Sequence, residues 1–257
     1  MSSGPSAITE LTALLKRARR VLAFTGAGIS TGSGIPDFRG PKGVWQTRAP
    51  TYYQDFIASE RARCEYWEFK LESWHVFRDA RPNEAHLALV ELERIGKLEA
   101  LVTQNVDGLH QAAGTSQKLL IELHGTNSEV ECIGCGKREP PQRSMDDFAA
   151  SRRPPRCLGC DGLMKPAVVM FGQALVPEHL ERAREAAESA DLILALGSSL
   201  VVTPAANIPL FGAQRGTPYV IVNQGETPHD EVATLRIDDD VGKVLAPAVA
   251  ALTKDMN

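Results

Sequence analysis

Short apolar runs alternate with helical segments along most of this chain, and this alternation restricts its fold more than any other feature. Strands are predicted at residues 21–24, 101–103, 119–123, 168–171, 192–196 and 219–222. Apolar residues at helical spacing predict helices at residues 6–20, 83–95, 177–190, 204–214 and 240–252. Strands that alternate with helices favour a parallel sheet covered on both faces. We therefore predict an α/β fold built on such a sheet.

Two stretches interrupt the alternation. Residues 41–80 are rich in aromatic side chains and predict helices, and residues 128–165 contain four of the five cysteines. Aromatic residues are more often core than binding surface. We expect the two stretches to form a smaller domain, composed of a helical insertion (41–80) and a zinc-binding module (128–165). The remaining segments are expected to form a Rossmann-like domain, namely 1–40, 81–127 and 166–257.

The four clustered cysteines form two C-x-x-C pairs, Cys132 with Cys135 and Cys157 with Cys160. Each pair can present two thiolates on one turn, and four thiolates complete a closed tetrahedral zinc site. Two disulfides are the alternative, which a reducing compartment disfavours. Because four protein ligands leave no open position, we predict one structural zinc ion rather than a catalytic one.

Composition excludes several classes of protein. The 257 residues carry a formal net charge of −4, with 43% hydrophobic and 23% charged residues. This usage is that of a globular chain rather than a disordered one. The mild acidity argues against stable nucleic-acid binding, and no apolar run approaches the roughly 20 residues of a membrane span. With no secretory signal recognised, we expect a cytoplasmic protein without membrane association.

Polar residues and glycines follow most of the predicted strands. After the first, second, third, fifth and sixth strands come, in turn, Gly26-Ala27-Gly28-Ile29, Gln104-Asn105-Val106-Asp107, His124-Gly125, Gly197-Ser198-Ser199 and Asn223. Ligands of open parallel sheets bind beyond the carboxyl ends of the strands. Such clusters at one edge indicate a single long ligand, with a pyrophosphate near the first glycine turn.

The glycine turn is not the complete dinucleotide fingerprint. Thr31 occupies the third glycine position, and the acidic residue expected about 20 positions later is missing, which disfavours an ordinary dehydrogenase. His124, at a strand end, is a candidate general base. The loop with Asp37, Phe38 and Arg39 is typical of a lid that excludes water, although a solvated loop pair remains the alternative.

In these segments the chain resembles the sirtuins, a family of NAD-dependent protein-lysine deacylases. The matching segments occur in family order, namely GAGIS (26–30), GIPDFRG (34–40), TQNVDGLH (103–110), LHG (123–125), both C-x-x-C pairs, KPAVVMFG (165–172), GSSL (197–200) and VN (222–223). The segments WEF (67–69) and NEAH (83–86) resemble the class that includes the acyl-selective members. The resemblance is to a bacterial-type, single-domain member.

The resemblance implies that NAD is a co-substrate and that acylated lysines of proteins are the substrates. His124 then corresponds to the general base and Asn105 to the residue that orients the ribose. Asp107 corresponds to the acceptor for the nicotinamide carboxamide, within an apolar pocket formed by Ile29 and Val106. The expected products are free lysine, nicotinamide and an O-acyl-ADP-ribose.

The resemblance also implies the remaining binding residues. Contacts to the nicotinamide, ribose and pyrophosphate correspond to Gly26, Ala27, Gly28, Asp37, Phe38, Arg39 and Gln104. Contacts toward the adenosine correspond to Gly197, Ser198, Ser199, Asn223 and Val241. Val169 and Phe171 correspond to the acyl-lysine tunnel, where the peptide adds a strand.

Some positions depart from the family pattern. Members selective for acidic acyl groups carry Tyr and Arg where this chain has Lys70 and Ser73. Serine cannot pair with a carboxylate in the bidentate manner of arginine, so we predict a preference for neutral acyl chains over succinyl. Gln173 replaces a common acidic residue, which bears on peptide preference.

Three other functions fit parts of the sequence. Mono-ADP-ribosyl transfer to protein would use the same cleavage of NAD. An NAD-linked oxidoreductase with a zinc ribbon, and a zinc-ribbon nucleic-acid binder, are the other two. Residues 133–165 hold seven Lys and Arg against four acids, an excess more typical of a solvated face or partner contact. The sequence does not indicate an oligomeric state.

Overall fold

The computed structural model describes residues 5–40 and 43–254. Its strands are β1 (Val21–Thr25), β2 (Leu98–Thr103), β3 (Leu120–Glu122), β4 (Gly125–Cys132), β5 (Arg138–Glu139), β6 (Met164–Val168), β7 (Leu192–Leu196), β8 (Tyr219–Val222) and β9 (Leu235–Ile237). Its α-helices are α1 (Pro5–Arg17), α2 (Tyr53–Ala58), α3 (Glu60–Asp79), α4 (Glu84–Arg94), α5 (Leu109–Ala113), α6 (Gln142–Ser151), α7 (Pro177–Ser189), α8 (Ile208–Ala213) and α9 (Val241–Lys254).

The main sheet is parallel and has the strand order β3-β2-β1-β7-β8-β9. This is the doubly wound order, in which strands are added first on one side of β1 and then on its other side. β1 lies between β2 and β7, and all of its residues are buried. The predicted α/β fold with a Rossmann-like parallel sheet is confirmed.

Successive residues of β1 face opposite sides of this sheet. Val21 and Ala23 belong to the core that α1, α4 and α9 cover, whereas Leu22 and Phe24 belong to the core against α7 and α8. Both faces of the sheet are therefore buried, which explains why its strands are continuous apolar runs rather than alternating ones.

A second sheet is antiparallel and has the order β5-β4-β6. The prediction of a parallel-sheet strand at 168–171 is wrong. The strand in this region is β6 (Met164–Val168), which pairs with β4 in the second sheet. All five of its residues are buried, as in the strands of the parallel sheet, although β6 pairs antiparallel with β4. Beyond it, Val169 N–H donates to the carbonyl oxygen of His124 at 2.8 Å.

The aromatic-rich stretch contributes mostly to a third core. Phe56, Tyr66 and Trp67 are buried there with Phe148 and Met164. The Trp67 indole N–H donates to the Met164 carbonyl at 3.3 Å. This core joins α2, α3 and α6 to the second sheet, as the preference of aromatic residues for core positions predicts.

Some helices differ from their predicted bounds. The segment predicted as one helix at 204–214 is a short 3₁₀ turn, Ala205–Asn207, followed by α8, whose second residue is Pro209. Strand β9 was not predicted, since three residues are too few to show a periodic pattern. Among the described residues, no helix combines the length and apolar character needed to cross a bilayer.

Candidate functional site

The glycine turn after β1 packs directly against the end of β7. Gly26 N–H donates to Leu196 O at 3.0 Å, and Gly28 N–H donates to Gly197 O at 2.8 Å. A Cβ atom on Gly28 would lie only 2.8 Å from the Cα of Gly197, which itself has φ +63°. Only glycine allows two backbones to approach this closely. The turn continues as a 3₁₀ helix, Ala27–Ser33, where the family pattern led us to expect backbone N–H groups facing a pyrophosphate.

Asn105 and Asp107 meet the glycine-rich turn through one hydroxyl. Asn105 Nδ2 donates to Gly26 O at 3.1 Å and to Ser30 Oγ at 3.2 Å, and Ser30 Oγ donates to Asp107 Oδ2 at 2.7 Å. Burial raises the pKa of Asp107, although hydrogen bonds from Leu109 N–H and Ser30 oppose that shift. The turn after β1 and the loop after β2 therefore form one connected polar network.

A second, deeper network supports Asn105 from the core side. Asn105 N–H donates to Thr103 Oγ1 at 3.0 Å, and Thr25 Oγ1 donates to the same oxygen at 2.8 Å. His110 Nε2 lies 3.0 Å from Thr25 Oγ1, so with the Thr25 proton already donated, Nε2–H is the donor. The His86 ring packs against that of His110 with ring centroids 4.9 Å apart and the ring planes inclined by 54°.

The α4 terminus is tied to the same region. Asn83 Nδ2 donates to Ile29 O at 2.8 Å and to Ser33 Oγ at 3.0 Å, while Asn83 Oδ1 caps α4 by accepting from Ala85 N–H at 2.9 Å. One asparagine thus fixes both the helix start and the 3₁₀ helix of the glycine-rich turn.

His124 lies between the loop after β2 and the strand segment at Val169. Its Nδ1 is 3.0 Å from Gln104 O, and since a carbonyl only accepts, Nδ1 carries the proton in the neutral ring. Burial lowers the pKa of His124, and the nearby charge of Arg39 lowers it further. The ring is therefore neutral near pH 7, with the lone pair on Nε2, which is the state a general base requires.

The residues predicted for the adenosine end lie around β7 and β8. Gln104 Nε2 donates to Ser198 Oγ at 2.8 Å, which links the two halves of the sheet across β1. Asn223 follows β8, and its amide donates to Gln224 O and Gly225 O at 2.9 and 3.1 Å. Ser199 is half-buried beside Ser198.

Two predicted contacts have side chains inside the core. Val241, at the start of α9, is 2% exposed, and so is Ile29. Both belong to the core cluster on the α1–α4–α9 side of the sheet. The side chain of Val241 is therefore not accessible for the contact predicted at this position. Val106 is half-buried, and its carbonyl accepts from Asn127 N–H at 2.8 Å.

An aromatic contact joins the predicted lid to the predicted tunnel. Phe38 stacks on Trp45 with ring centroids 5.2 Å apart, and Trp45 meets Phe171 edge-on at 6.1 Å. Asp37 Oδ1 accepts from Gly40 N–H at 2.7 Å, which closes the turn after Phe38 and Arg39. The lid loop and the tunnel therefore share one aromatic wall.

The four cysteines converge as predicted. Their sulfur atoms all lie within 4.8 Å of one another, with Cys132 and Cys160 3.5 Å apart and Cys135 and Cys157 3.8 Å apart. All four are free thiols rather than disulfides. Tetrahedral zinc–thiolate bonds of about 2.3 Å separate sulfurs by about 3.8 Å. The set is therefore positioned to bind one zinc ion.

Sequence reasoning missed several residues that complete this region. Ser30 and Thr103 fall inside the matched motifs, and their positions beside Gly26 and Asn105 in the sequence were a usable signal. Trp45 was assigned to the core with the other aromatic residues, and no local pattern distinguishes it from them. His110 was also missed, because its partner Thr25 is distant along the chain.

Residues 26–204 match the profile of the Sir2 family. An NAD-dependent protein deacetylase of Rhodopseudomonas palustris is 41% identical over 244 residues, which cover 95% of this chain and 96% of the relative. A solved Sir2 structure with a deacetylated p53 peptide and 3'-O-acetyl-ADP-ribose has a TM-score of 0.89 and 38% identity, covering 95% of this chain and 98% of that one. A Sir2 structure with a p53 peptide and NAD+ has a TM-score of 0.85 and 38% identity, covering 97% and 98%.

Proposed function

This chain belongs to the Sir2 family, and from that premise we propose that it is an NAD-dependent protein-lysine deacylase. The observation that carries the proposal is the position of His124, which bonds the cofactor-side loop through Gln104 O and the predicted peptide segment through Val169 N–H. The ring of His124 is thereby bonded to the loop predicted to bind NAD, and its main-chain oxygen is bonded to the segment predicted to bind the acyl-lysine. The similar proteins named above are deacetylases and complexes with NAD and peptide, which supports the same reaction.

In the proposed first step, the amide oxygen of the acyl-lysine forms a bond to the anomeric carbon of the nicotinamide ribose. Nicotinamide leaves with the electrons of the broken bond, through a transition state of oxocarbenium character. The protein contributes orientation and exclusion of water. Asn105, held at its backbone by Thr103 and at its amide by Gly26 and Ser30, is suited to orient the ribose.

Asp107 is proposed to accept the carboxamide N–H of nicotinamide. Ser30 Oγ and Leu109 N–H occupy one oxygen each, at 2.7 and 2.9 Å, and they fix the plane of the carboxylate. A carboxylate has about four lone-pair sites, so accepting capacity remains for the ligand.

In the proposed second step, His124 accepts a proton at Nε2 from a ribose hydroxyl, whose oxygen then attacks the imidate carbon. The protonated His124 gives this proton to the lysine nitrogen, so that free lysine leaves, and water adds to the cyclic acyl intermediate on the ribose to give the O-acyl-ADP-ribose. The products are free lysine, nicotinamide and O-acyl-ADP-ribose. The tautomer set by Gln104 O and the lowered pKa of the ring both support this role.

Water must be excluded during the first step, because it would capture the ribosyl cation. The aromatic wall of Phe38, Trp45 and Phe171 is proposed to serve this purpose. The loop of Phe38 would cover the cofactor, and the same wall would surround the lysine stem at Val169 and Phe171.

The test is incubation of the purified protein with NAD and acetyl-lysine peptides, read by mass spectrometry. We expect nicotinamide, O-acetyl-ADP-ribose and deacetylated peptide in equal amounts, and no product from peptide without NAD. NAD labelled in its adenine distinguishes deacylation from the alternative activity, mono-ADP-ribosyl transfer. Label fixed on protein would favour mono-ADP-ribosyl transfer, whereas label in soluble O-acetyl-ADP-ribose supports deacylation.

We further propose that neutral acyl chains are preferred over succinyl. Ser73 Oγ donates to Phe69 O within α3 at 2.9 Å, and Lys70 Nζ donates to Asn127 Oδ1 at 3.0 Å. Burial lowers the pKa of Lys70 to about 8, and its ammonium lies 5.4 Å from the centre of the Tyr66 ring. Neither side chain offers the forked pair of donors with which arginine binds a carboxylate.

Acetyl, propionyl, butyryl and succinyl versions of one peptide test this preference. We expect kcat/KM for the succinyl peptide to be at least tenfold below that for the acetyl peptide. A Ser73→Arg variant should narrow the difference, and Ser73→Ala is its control. Succinyl turnover equal to or above acetyl turnover in the unmodified protein would overturn the proposed preference without affecting deacylation itself.

A further inference from the structure

A cavity separate from the cofactor region lies where α3 meets the loop between α6 and β6. Its volume is about 220 Å³, and it is lined by Glu60, Arg63, Arg153, Pro154 and Arg156. Three guanidinium groups therefore surround it against one carboxylate. A concave site with this excess of positive charge concentrates anions.

Arg63 is the buried member of the set, with 8% of its surface exposed. Its Nη1 donates to Phe56 O and Ile57 O, both at 2.8 Å. Its Nε is buried without a partner, and its side-chain hydrogen bonds to described residues both come from Nη1. A buried guanidinium with unsatisfied donors is costly unless an anion or water completes its hydrogen bonds.

Arg153 and Arg156 are held on a stiff backbone. Two prolines, Pro154 and Pro155, separate them and restrict φ. Pro155 O accepts from Met164 N–H at 3.3 Å, and Arg156 pairs with Leu163 in an antiparallel bridge. The two arginines are thus placed by the zinc-binding segment before any ligand arrives, which lowers the entropy cost of binding.

These charges are not neutralised within the described residues. No described carboxylate forms an ion pair with Arg63, Arg153 or Arg156, and the only side-chain bond of Arg156 runs from Nη1 to Asp161 O at 3.2 Å. The cavity also adjoins the start of α3, a 20-residue helix. The positive end of its dipole adds to the attraction for an anion.

We propose that this cavity is a binding site for a phosphoryl group, supplied either by inorganic phosphate or by a phosphate ester. Arg153 and Arg156, on the loop, donate hydrogen bonds to the phosphate oxygens, and Arg63, on α3, completes the site. A tetrahedral dianion offers acceptors in several directions and matches three guanidinium groups opposed by one carboxylate, which a planar monovalent carboxylate does not. The site is independent of the proposed deacylation.

The experiment measures phosphate binding to the zinc-loaded full chain by calorimetry, at constant ionic strength and without NAD or peptide. The double variant R153Q/R156Q should bind phosphate at least tenfold more weakly, because both exposed arginines are lost while Arg63 keeps its structural bonds. The double variant R61Q/R215Q removes the same charge from exposed positions outside the cavity and should bind as the unmodified protein does. Glu60→Gln, which removes the opposing carboxylate, should tighten binding severalfold.

Equal phosphate affinity in the unmodified protein and R153Q/R156Q would overturn the proposal, as would an equal loss in R61Q/R215Q. Since deacylation is not measured, either outcome leaves the proposed function untouched. O-phosphoserine compared with phosphate separates the two sources, and both are expected to exceed acetate. A duplex DNA cannot enter a cavity of this size, so DNA binding stronger than phosphate binding would identify a nucleic-acid surface instead and would also refute the proposal.

Discussion

His110 Nε2 lies 3.0 Å from Thr25 Oγ1, in the core directly behind Asn105. Thr25 Oγ1–H donates a hydrogen bond to Thr103 Oγ1, and Thr103 Oγ1 also accepts a hydrogen bond from the backbone N–H of Asn105. A chain of hydrogen bonds therefore runs from a buried histidine to the residue proposed to orient the ribose. These hydrogen bonds restrict the position of Asn105, although His110 Nδ1, at the far end of the chain of bonds, is buried without a partner.

The first prediction concerns Thr103 as a positioning residue. Thr103→Val keeps the shape and removes the acceptor of Asn105 N–H. Loss of one buried hydrogen bond costs about 1 kcal/mol, so kcat should fall roughly fivefold. The KM for NAD should change less than twofold, and Thr103→Ser should restore kcat. Equal kcat in the Val and Ser variants would assign Thr103 to packing alone.

The second prediction concerns the pH dependence of stability. Burial lowers the pKa of His86 to about 4 and, with His86 as a further cause, that of His110 to about 3. Between pH 6.5 and pH 4 the unfolded chain takes up protons at these positions and the folded chain does not. The free energy of unfolding should therefore decrease as pH falls, by about 1.4 kcal/mol per pH unit for each histidine.

Urea denaturation at several pH values measures this slope. His110→Gln, which cannot titrate, should reduce the slope by about 1.4 kcal/mol per pH unit, the contribution of one histidine. His75→Gln, the same substitution at an exposed position of α3, is the matched control. A slope equal in all three proteins would contradict the assignment to buried neutral histidines.

The third prediction concerns His124. His124→Ala should reduce deacylation by at least a thousandfold while sparing nicotinamide exchange more than net turnover, since the base acts after the first bond breaks. Because the pKa of His124 is lowered by burial, the acid limb of kcat should lie below pH 6.5. Circular dichroism checks that the variant is folded. Normal turnover by His124→Ala would contradict the proposed role of His124 as the general base.

The fourth prediction concerns the zinc site. Cys132→Ser should abolish zinc binding and loosen the core that includes Phe148 and Met164, because Cys132 belongs to that core. Metal content by mass spectrometry and near-ultraviolet circular dichroism measure both effects. Cys64→Ser is the control, since Cys64 lies outside the cluster, with its thiol 3.8 Å from Arg152 O. Full activity in a zinc-free Cys132 variant would refute a structural role for the metal.

The fifth prediction concerns the wall shared by Phe38 and Phe171. Trp45→Ala removes the ring between them and should admit water to the cofactor. Nicotinamide release should then exceed peptide deacylation severalfold, whereas the unmodified protein should keep the two equal. Trp45→Phe should preserve most of the coupling. If Trp45→Ala still released one nicotinamide for each peptide deacylated, the aromatic wall would have no role in keeping water out.

Much of the fold follows from local patterns. β1, β2, β7 and β8 were predictable because strands buried on both faces are continuous apolar runs. For the same reason the apolar run at 168–171 was predicted to be a strand of the parallel sheet. The strand found there is Met164–Val168, which is equally buried but pairs antiparallel with β4. Burial pattern reports how much water a strand meets and does not report the direction of its partner.

The sequence alone determined the α/β class and the cysteines positioned for zinc, and it indicated Asn105, Asp107 and His124 as candidate site residues, because these depend on residue type and short spacing. The tertiary structure decided the rest. It joined Thr25 to His110, brought Trp45 between the lid and the tunnel, turned the side chain of Val241 into the core and gathered Arg63 with Arg153. Contacts between residues far apart in the chain depend on how whole elements pack, and no local pattern encodes that packing.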